Sequence, residues 1–427
     1  MGRLTIVVAL VAVLVGYLIG TSPAGVTPPT TPPGSPTGML PPWPIFRVAI
    51  ALNEFFEAAA VATRPPPVQV KTLATAYWQS EISYSLTKSG AIDAVGVEGS
   101  VACEDVAAKL KLVPDFLCRM MRAGTLSVSL LTRGRQSLVG VHTGEGIKLL
   151  STDAQGKYSL TPAGDMLRSD HPGSLRSFML MINEETTKAW RAAGTKSLSS
   201  GQSGFKEAFG KEWWAWHNEQ GHATQMRQFD AAMRSLNADV SGALLIDWAP
   251  PKEDALVCDI GGGAGHMTAA MAHHYPKLKG IVFDQPKVVA SSTKETLAEL
   301  GVSDRVSTVG GSFLEPLPAA LSSCDAFYLQ FILHDWADED CVSILSAIKA
   351  VAKEGSQIVT TDFILGVDGA NMEMSKRNMD INMMASNPPG AGERTFEEYA
   401  ALFTRAGFAK PQLVKLRDII STVVTEV

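Results

Sequence analysis

The stretch that decides the fold is Ala255-Leu256-Val257-Cys258-Asp259-Ile260-Gly261-Gly262-Gly263-Ala264-Gly265-His266. Its first six residues form a short apolar run of the kind that a parallel sheet buries on both faces. The glycines that follow let the backbone approach a ligand closely, and a helix opening at about His266 favours a negative group at its N-terminus. Dinucleotide enzymes space their glycines as GxGxxG. Counted from Gly261, the third glycine position holds His266, so that fingerprint fails and DxGxGxG fits instead.

Outward from this bend, apolar strands at 255–260, 279–284, 306–309, 326–329 and 357–363 alternate with helical segments. Such alternation predicts an α/β, Rossmann-like domain with a parallel-rich sheet, whose ligand lies beyond the carboxyl ends of the strands. The strand at 279–284 ends in Asp284, nineteen residues after Gly265, placed to accept hydrogen bonds from both hydroxyls of a ribose. A nucleoside ligand follows. After the third strand comes Gly310-Gly311-Ser312-Phe313, where Phe313 either lies against an adenine face or packs in the core. After the fourth comes Phe331-Ile332-Leu333-His334-Asp335-Trp336, which puts His334 at the rim of the ligand site; a catalytic role is favoured over a structural one.

Two further clusters each read two ways. Asp335, Asp338, Glu339 and Asp340 resemble a Mg²⁺ site, but three of them fall in the first turn of a helix running to about Ala352, where carboxylates suit the helix dipole. No metal is expected. Met372, Met374, Met379, Met383 and Met384 either wall an apolar substrate pocket or pack in the core.

Upstream, 45–64 and 71–88 read as helices separated by Pro65, Pro66 and Pro67. Two short helices at 104–112 and 114–123, then a strand at 157–160, give a winged-helix pattern with an irregular insertion at 127–150. It is read as a packing or dimerisation module, because Arg119 and Arg122 alone make too thin a basic face for DNA. Helical stretches at 161–181 and 205–236 follow. The expected division is a hydrophobic segment at 1–20, a Pro/Thr/Gly-rich linker at 21–44, a helical winged-helix-like dimerisation domain at 45–236 and a catalytic domain at 237–427.

A chain of 427 residues fits two domains plus extensions, and its net charge of -6 gives no basic field to attract nucleic acid. The five cysteines lack CxxC spacing and sit in apolar stretches, so they read as reduced thiols. Residues 4–20 are uninterrupted apolar sequence behind Arg3, with Gly16 and Gly20 forming a GxxxG pair. They predict membrane association through a single N-terminal helix, with a cleaved targeting signal as the alternative. The side of the membrane stays open, since Arg3 is a single charge.

Several stretches in combination resemble the plant and bacterial family of small-molecule O-methyltransferases that includes caffeic acid, flavonoid and hydroxyindole methyltransferases. They are Tyr158-Ser159-Leu160-Thr161-Pro162-Ala163-Gly164, Asp170-His171-Pro172-Gly173-Ser174-Leu175-Arg176, Phe229-Asp230-Ala231-Ala232-Met233, Phe283-Asp284-Gln285-Pro286, Leu333-His334-Asp335-Trp336 and Gly392-Glu393-Arg394-Thr395. The likeness covers residues from about Thr72 to the C-terminus. It implies S-adenosyl-L-methionine as cofactor, a small hydroxylated aromatic as substrate and a homodimer formed through the N-terminal domain. It also implies His334 as general base flanked by Asp362 and Glu393, and a cofactor site drawn from Asp259, Gly261, Gly263, Asp284, Ser312, Phe313 and Gln330. Two positions depart from the family: Ser312 stands where an acidic residue is usual and Gln330 where a lysine is usual. Losing a carboxylate that pairs with adenine weakens binding by roughly 1 to 3 kcal/mol. Asp362 is one methylene shorter than the family's glutamate.

A phenol with a pKa near ~10 gives its proton to a histidine near ~6.5 only as its oxygen begins to bond the methyl carbon. Three rivals remain at the level of sequence: N-methylation on the same fold, a nicotinamide oxidoreductase, and a non-catalytic dimeric regulator. His266 in place of glycine disfavours the second, and intact His334, Asp362 and Glu393 disfavour the third.

Overall fold

The computed structural model describes residues 43–125, 149–368 and 370–427. At its centre lies a seven-stranded sheet. Its strands in chain order are β3 (Leu256–Ile260), β4 (Lys279–Asp284), β5 (Val306–Gly310), β6 (Ala326–Gln330), β7 (Gln357–Asp362), β8 (Gln412–Lys415) and β9 (Ser421–Glu426), after β1 (Leu150–Thr152) and β2 (Tyr158–Leu160) of a separate hairpin. The spatial order is β5-β4-β3-β6-β7-β9-β8, parallel from β5 through β7 and antiparallel at β7/β9 and β8/β9. Alternate residues of each strand feed two cores. Cys258, Ile260, Phe283, Phe327, Leu329 and Ile358 pack on one face, while Val257, Val282, Tyr328 and Val359 pack on the other. That two-sided burial is why these strands read as continuous apolar runs rather than alternating ones.

The strand order reverses between β3 and β6, and the carboxyl ends of those two strands open a crevice at the reversal. Helices at His266–His274 and Asp338–Val351 follow β3 and β6. The latter begins with Asp338, Glu339 and Asp340 in its first turn. The N-terminal half is mostly helical. Helices Cys103–Leu110 and Pro114–Ala123 pack with the β1/β2 hairpin around a small core that includes Val106, Leu117, Met121 and Leu150. Most of the expected 127–150 insertion lies outside the described residues. The helix Ala223–Asp247 runs from the helical half into the sheet half, through the expected division at 236/237.

Two expectations are corrected. The first is the membrane helix and the membrane-associated location built on it: among the described residues no helix is long and apolar enough to cross a membrane. The longer described helices are too charged. The sequence of Trp43–Ala62 includes Arg47, Glu54 and Glu57, and that of Ala223–Asp247 includes Arg227, Asp230, Arg234 and Asp247. Residues 4–20, on which that expectation rested, lie outside the described residues. The second concerns the cysteines, of which only Cys341 is a free thiol. Cys103 pairs with Cys118 and Cys258 with Cys324, at Cα separations of 5.2 and 5.9 Å. Their distance in sequence hid that each pair faces across adjacent elements, a helix hairpin in one case and the β3/β6 crossing in the other.

Candidate active site

The crevice at the strand reversal is a cavity of about 280 Å³. Its floor is the glycine bend, and the conformations there explain the residue type. Gly261 and Gly263 take φ of +74° and +54°, in the left-handed region that side chains disfavour. A Cβ at Gly261 would also meet Ile332 Cδ1 at 2.4 Å. Asp284, at the end of β4, accepts from the Gly263 N–H at 2.9 Å through one oxygen and from the Gln285 N–H at 2.6 Å through the other. A carboxylate has further lone pairs to offer, so both oxygens keep capacity toward the cavity that Asp284 lines. Burial raises its pKa. Asp259 accepts from the Thr268 hydroxyl at 2.6 Å, and burial pushes its carboxyl up to about 7.

Of the expected cofactor residues, Asp259, Gly261, Gly263, Asp284, Phe313 and Gln330 line this cavity. Ser312 does not; its hydroxyl accepts from the Leu314 N–H at 3.3 Å. Phe313 meets Trp336 edge-on at 5.7 Å. Gln330 accepts at its Oε1 from the Tyr328 hydroxyl at 3.2 Å. The methionines of the helix Ala370–Ser386 are absent from the wall. Met374 and Met384 are exposed, and Met383 Sδ accepts from the Asn387 amide at 3.2 Å. Met226, Met233 and Met267 line the cavity instead.

His334, Asp362 and Glu393 come together from three elements, and all three are buried. His334 sits in the short turn Leu333–Asp335 after β6, Asp362 ends β7, and Glu393 lies in the loop before the helix Phe396–Arg405. His334 Nδ1 is 2.8 Å from Glu393 Oε1 and 3.7 Å from Asp362 Oδ1, so only the first is a hydrogen bond. Asp362 is held by the Tyr399 hydroxyl, which donates to its Oδ2 at 2.9 Å. The other ring nitrogen, Nε2, is 3.6 Å from Asp335 Oδ1, and Asp335 lines the cavity. The ring also stacks on Phe331, a second cavity residue, at 5.6 Å.

Burial on its own lowers the basicity of this imidazole, but the carboxylates of Glu393, Asp335 and Asp362 outweigh it and raise the pKa to about 10. Burial conversely pushes Asp335 up to about 6 and Asp362 up to about 7. The acidic cluster noted in the sequence splits among partners: Asp335 accepts from Asn387, Asp338 pairs with Arg394 and Glu339 with Arg405.

Sequence reasoning gave no role to Arg394 or Phe331. The buried Arg394 guanidinium donates to the Leu333 carbonyl at 2.9 Å and the Trp336 carbonyl at 2.8 Å, bracketing the turn that carries His334. Only its place beside Glu393 in a family-like motif could have flagged it. Phe331 holds φ of +54° at the end of β6, a strained conformation for an aromatic residue that no local pattern announces.

Solved structures share this fold. The structure of LaPhzM superposes with a TM-score of 0.72 at 27% identity, covering 85% of this chain and 99% of that one. Human N-acetylserotonin methyltransferase, solved with S-adenosylmethionine, gives 0.71 at 23% identity over 85% of this chain and 99% of its own. The fold is that of the S-adenosylmethionine-dependent methyltransferases. Among curated relatives, the phenazine O-methyltransferase PhzM of Lysobacter antibioticus is 29% identical over 82% of this chain and 93% of its own length. Tabersonine 16-O-methyltransferase of Catharanthus roseus is 31% identical over 64% of this chain and 75% of its own. Residues 191–409 match the model of the O-methyltransferase domain family, and the chain belongs to that family. It is an S-adenosylmethionine-dependent O-methyltransferase.

The residues present fit that cofactor. The position a Cβ would occupy at Gly263 has no atom within 4 Å, leaving room above the bend, while Asp284 stands ready for a diol at its side.

Proposed function

We propose that the chain methylates a hydroxyl of a small planar aromatic compound, with His334 as general base. The relatives named for phenazine, tabersonine and myricetin support that substrate class. So does the cavity wall, where Trp214, Phe229 and Phe331 offer flat apolar faces to a ring. When bound, S-adenosylmethionine supplies an electrophilic methyl group on a sulfonium. Gly261, Gly263 and Asp284 would hold it, with Asp259, Phe313 and Gln330 around them. His334 Nε2 would take the proton of the acceptor's hydroxyl and so leave its oxygen as the nucleophile. Glu393 accepts the Nδ1 hydrogen, fixes the tautomer and stabilises the imidazolium, and Asp362 adds negative charge behind it.

The observation that carries this reading is the buried 2.8 Å contact between His334 Nδ1 and Glu393, one side chain away from the cavity. A base near 10 also matches a phenol in proton affinity, which removes most of the uphill cost that an ordinary histidine would meet. His334→Ala is expected to keep S-adenosylhomocysteine binding within about twofold of wild type and to lose turnover on a phenol panel by about 10²- to 10⁴-fold. Unchanged turnover removes His334 from the mechanism. We further propose a homodimer through the N-terminal helices, supported by the exposed Val70, Leu73, Tyr77 and Trp78. Light scattering on the purified protein checks it, and a monomeric mass refutes it.

A further inference from the structure

Phe331 is the strained residue of this site. It takes φ of +54° just after β6, a conformation that glycine adopts without penalty, yet the position carries an aromatic side chain. Its N–H donates to the Thr361 carbonyl at 3.1 Å, so β7 holds the backbone in that turn. Strain of this kind persists only where the surroundings over-determine it, and it collects at functional sites. What the turn achieves is a run of three near-parallel rings. Phe331 lies 5.3 Å from Phe363 at an interplanar angle of 13°, and 5.6 Å from His334 at 18°.

The polar groups around His334 come from every element packed against it. Glu393 meets Nδ1 at 2.8 Å, and Asp362, at the end of β7, stands 3.7 Å from the same nitrogen. Asp335, on the turn that carries His334, is 3.6 Å from Nε2. Tyr399, from the helix Phe396–Arg405, donates to Asp362, while Arg394 donates to the Leu333 and Trp336 carbonyls. Cys341, from the helix Asp338–Val351, donates its thiol hydrogen to the Leu333 carbonyl at 3.1 Å. The three carboxylates act at the ring nitrogens, whereas Phe331 meets the imidazole plane to plane. The face of an aromatic ring attracts a cation within about 6 Å of its centroid, most strongly where water is excluded, and His334 is buried.

We propose that Phe331 is a positioning residue for the charged form of His334: its ring fixes the imidazole plane and stabilises the imidazolium once the acceptor's proton sits on Nε2. This rests on His334 as the base, and the test keeps the two apart. A leucine at 331 retains apolar bulk without a ring, and a tyrosine retains the ring. Both meet the same left-handed backbone as phenylalanine, so its strain is common to all three proteins.

The first measurement is an NMR titration of the full chain carrying ¹³C-labelled histidine, with the His334 signal assigned by its loss in His334→Ala. Phe331→Leu is expected to lower the His334 midpoint by about one pH unit, and Phe331→Tyr to match wild type. The second is turnover on one phenol acceptor. Phe331→Leu is expected to lower kcat by about 3- to 10-fold with KM within about twofold, and Phe331→Tyr to recover it. Should the leucine variant not fold, Phe331→Met, also without a ring, takes its place. An unmoved midpoint overturns the proposal, and with a raised KM it makes Phe331 a wall for the acceptor alone. A midpoint that falls equally in the leucine and tyrosine variants also overturns it, since bulk and not the ring is then responsible. If the midpoint shifts as expected while His334→Ala keeps full turnover, the ring's hold on the imidazolium stands and the base assignment falls.

Discussion

Glu393→Gln isolates the electrostatics of the base from its geometry. The amide is isosteric, so it can still accept the Nδ1 hydrogen at the 2.8 Å distance that Glu393 Oε1 holds now, but its charge is gone. A hydrogen bond to a charged group is worth roughly 1.5 to 3 kcal/mol and a neutral one about 0.5 to 1.5. The difference, about 1 to 2 kcal/mol, corresponds to roughly one pKa unit at about 1.36 kcal/mol each, with more lost because the pair is buried. From about 10 in the native site, His334 is therefore expected near ~8.5 to 9 in the variant. At a pH of about 7.5 an imidazole of pKa about 10 is neutral on the order of once in 300, so wild-type kcat/KM with a phenol acceptor climbs nearly tenfold per pH unit above neutrality. The variant should level off about one unit earlier and at a lower plateau, because a weaker base removes the proton. The assay is a pH–rate profile from about 6 to about 10.5 on both proteins with one acceptor, so that the acceptor's own ionisation is common to both curves. Coincident inflections in the two curves refute the argument that Glu393 sets the basicity of His334.

Two more predictions follow from contacts around that ring. Arg394→Lys replaces a fork that serves the Leu333 and Trp336 carbonyls with a single ammonium, so at least one of these charge-assisted hydrogen bonds is lost, at about 1.5 to 3 kcal/mol. A kcat loss of about tenfold with unchanged S-adenosylhomocysteine affinity is expected, and an unaltered kcat contradicts the bracketing role. Tyr399→Phe strips the hydroxyl from buried Asp362 and is expected to lower thermal stability by about 1 to 3 kcal/mol, read by calorimetric unfolding; an unshifted melt contradicts it.

The parts of this molecule legible in the sequence are those whose cause is local. The strand 256–260 and the bend after it are dictated by apolar run and glycine alone, and the five parallel strands were all foreshadowed within a residue or two of their ends. β8 and β9 were not, because Ser421–Glu426 is half threonine and serine and draws its burial from lying between two other strands, a tertiary fact. The helix expected to start at Lys71 starts at Pro66 instead, since Pro suits a first helical turn, and it divides at Ala76 into Pro66–Thr75 and Tyr77–Lys88. At the site, His334 is marked by its place at the carboxyl end of a strand, whereas Asp362 and Glu393 enter only through the family resemblance. Arg394 and Phe331 act through distances that only the folded chain defines. The methionines of 370–386 read either as a pocket wall or as core, and composition could not choose, because it does not say which cavity a wall borders.

The insertion of β9 between β7 and β8 has a consequence for biosynthesis. Asp362 lies opposite Ser421 in that ladder, and the Thr361 and Thr422 hydroxyls meet at 3.0 Å beside it. In order of synthesis β9 comes after the other eight strands, so the backbone beneath Asp362 stays unpaired on that side until β9 has emerged. A nascent chain can close the glycine bend and fold β3 through β6 while still tethered, yet the Asp362 carboxylate behind His334 is held in register only once β9 pairs with β7. Pairing of β9, rather than closure of the glycine bend, is the step that completes the backbone support of that carboxylate.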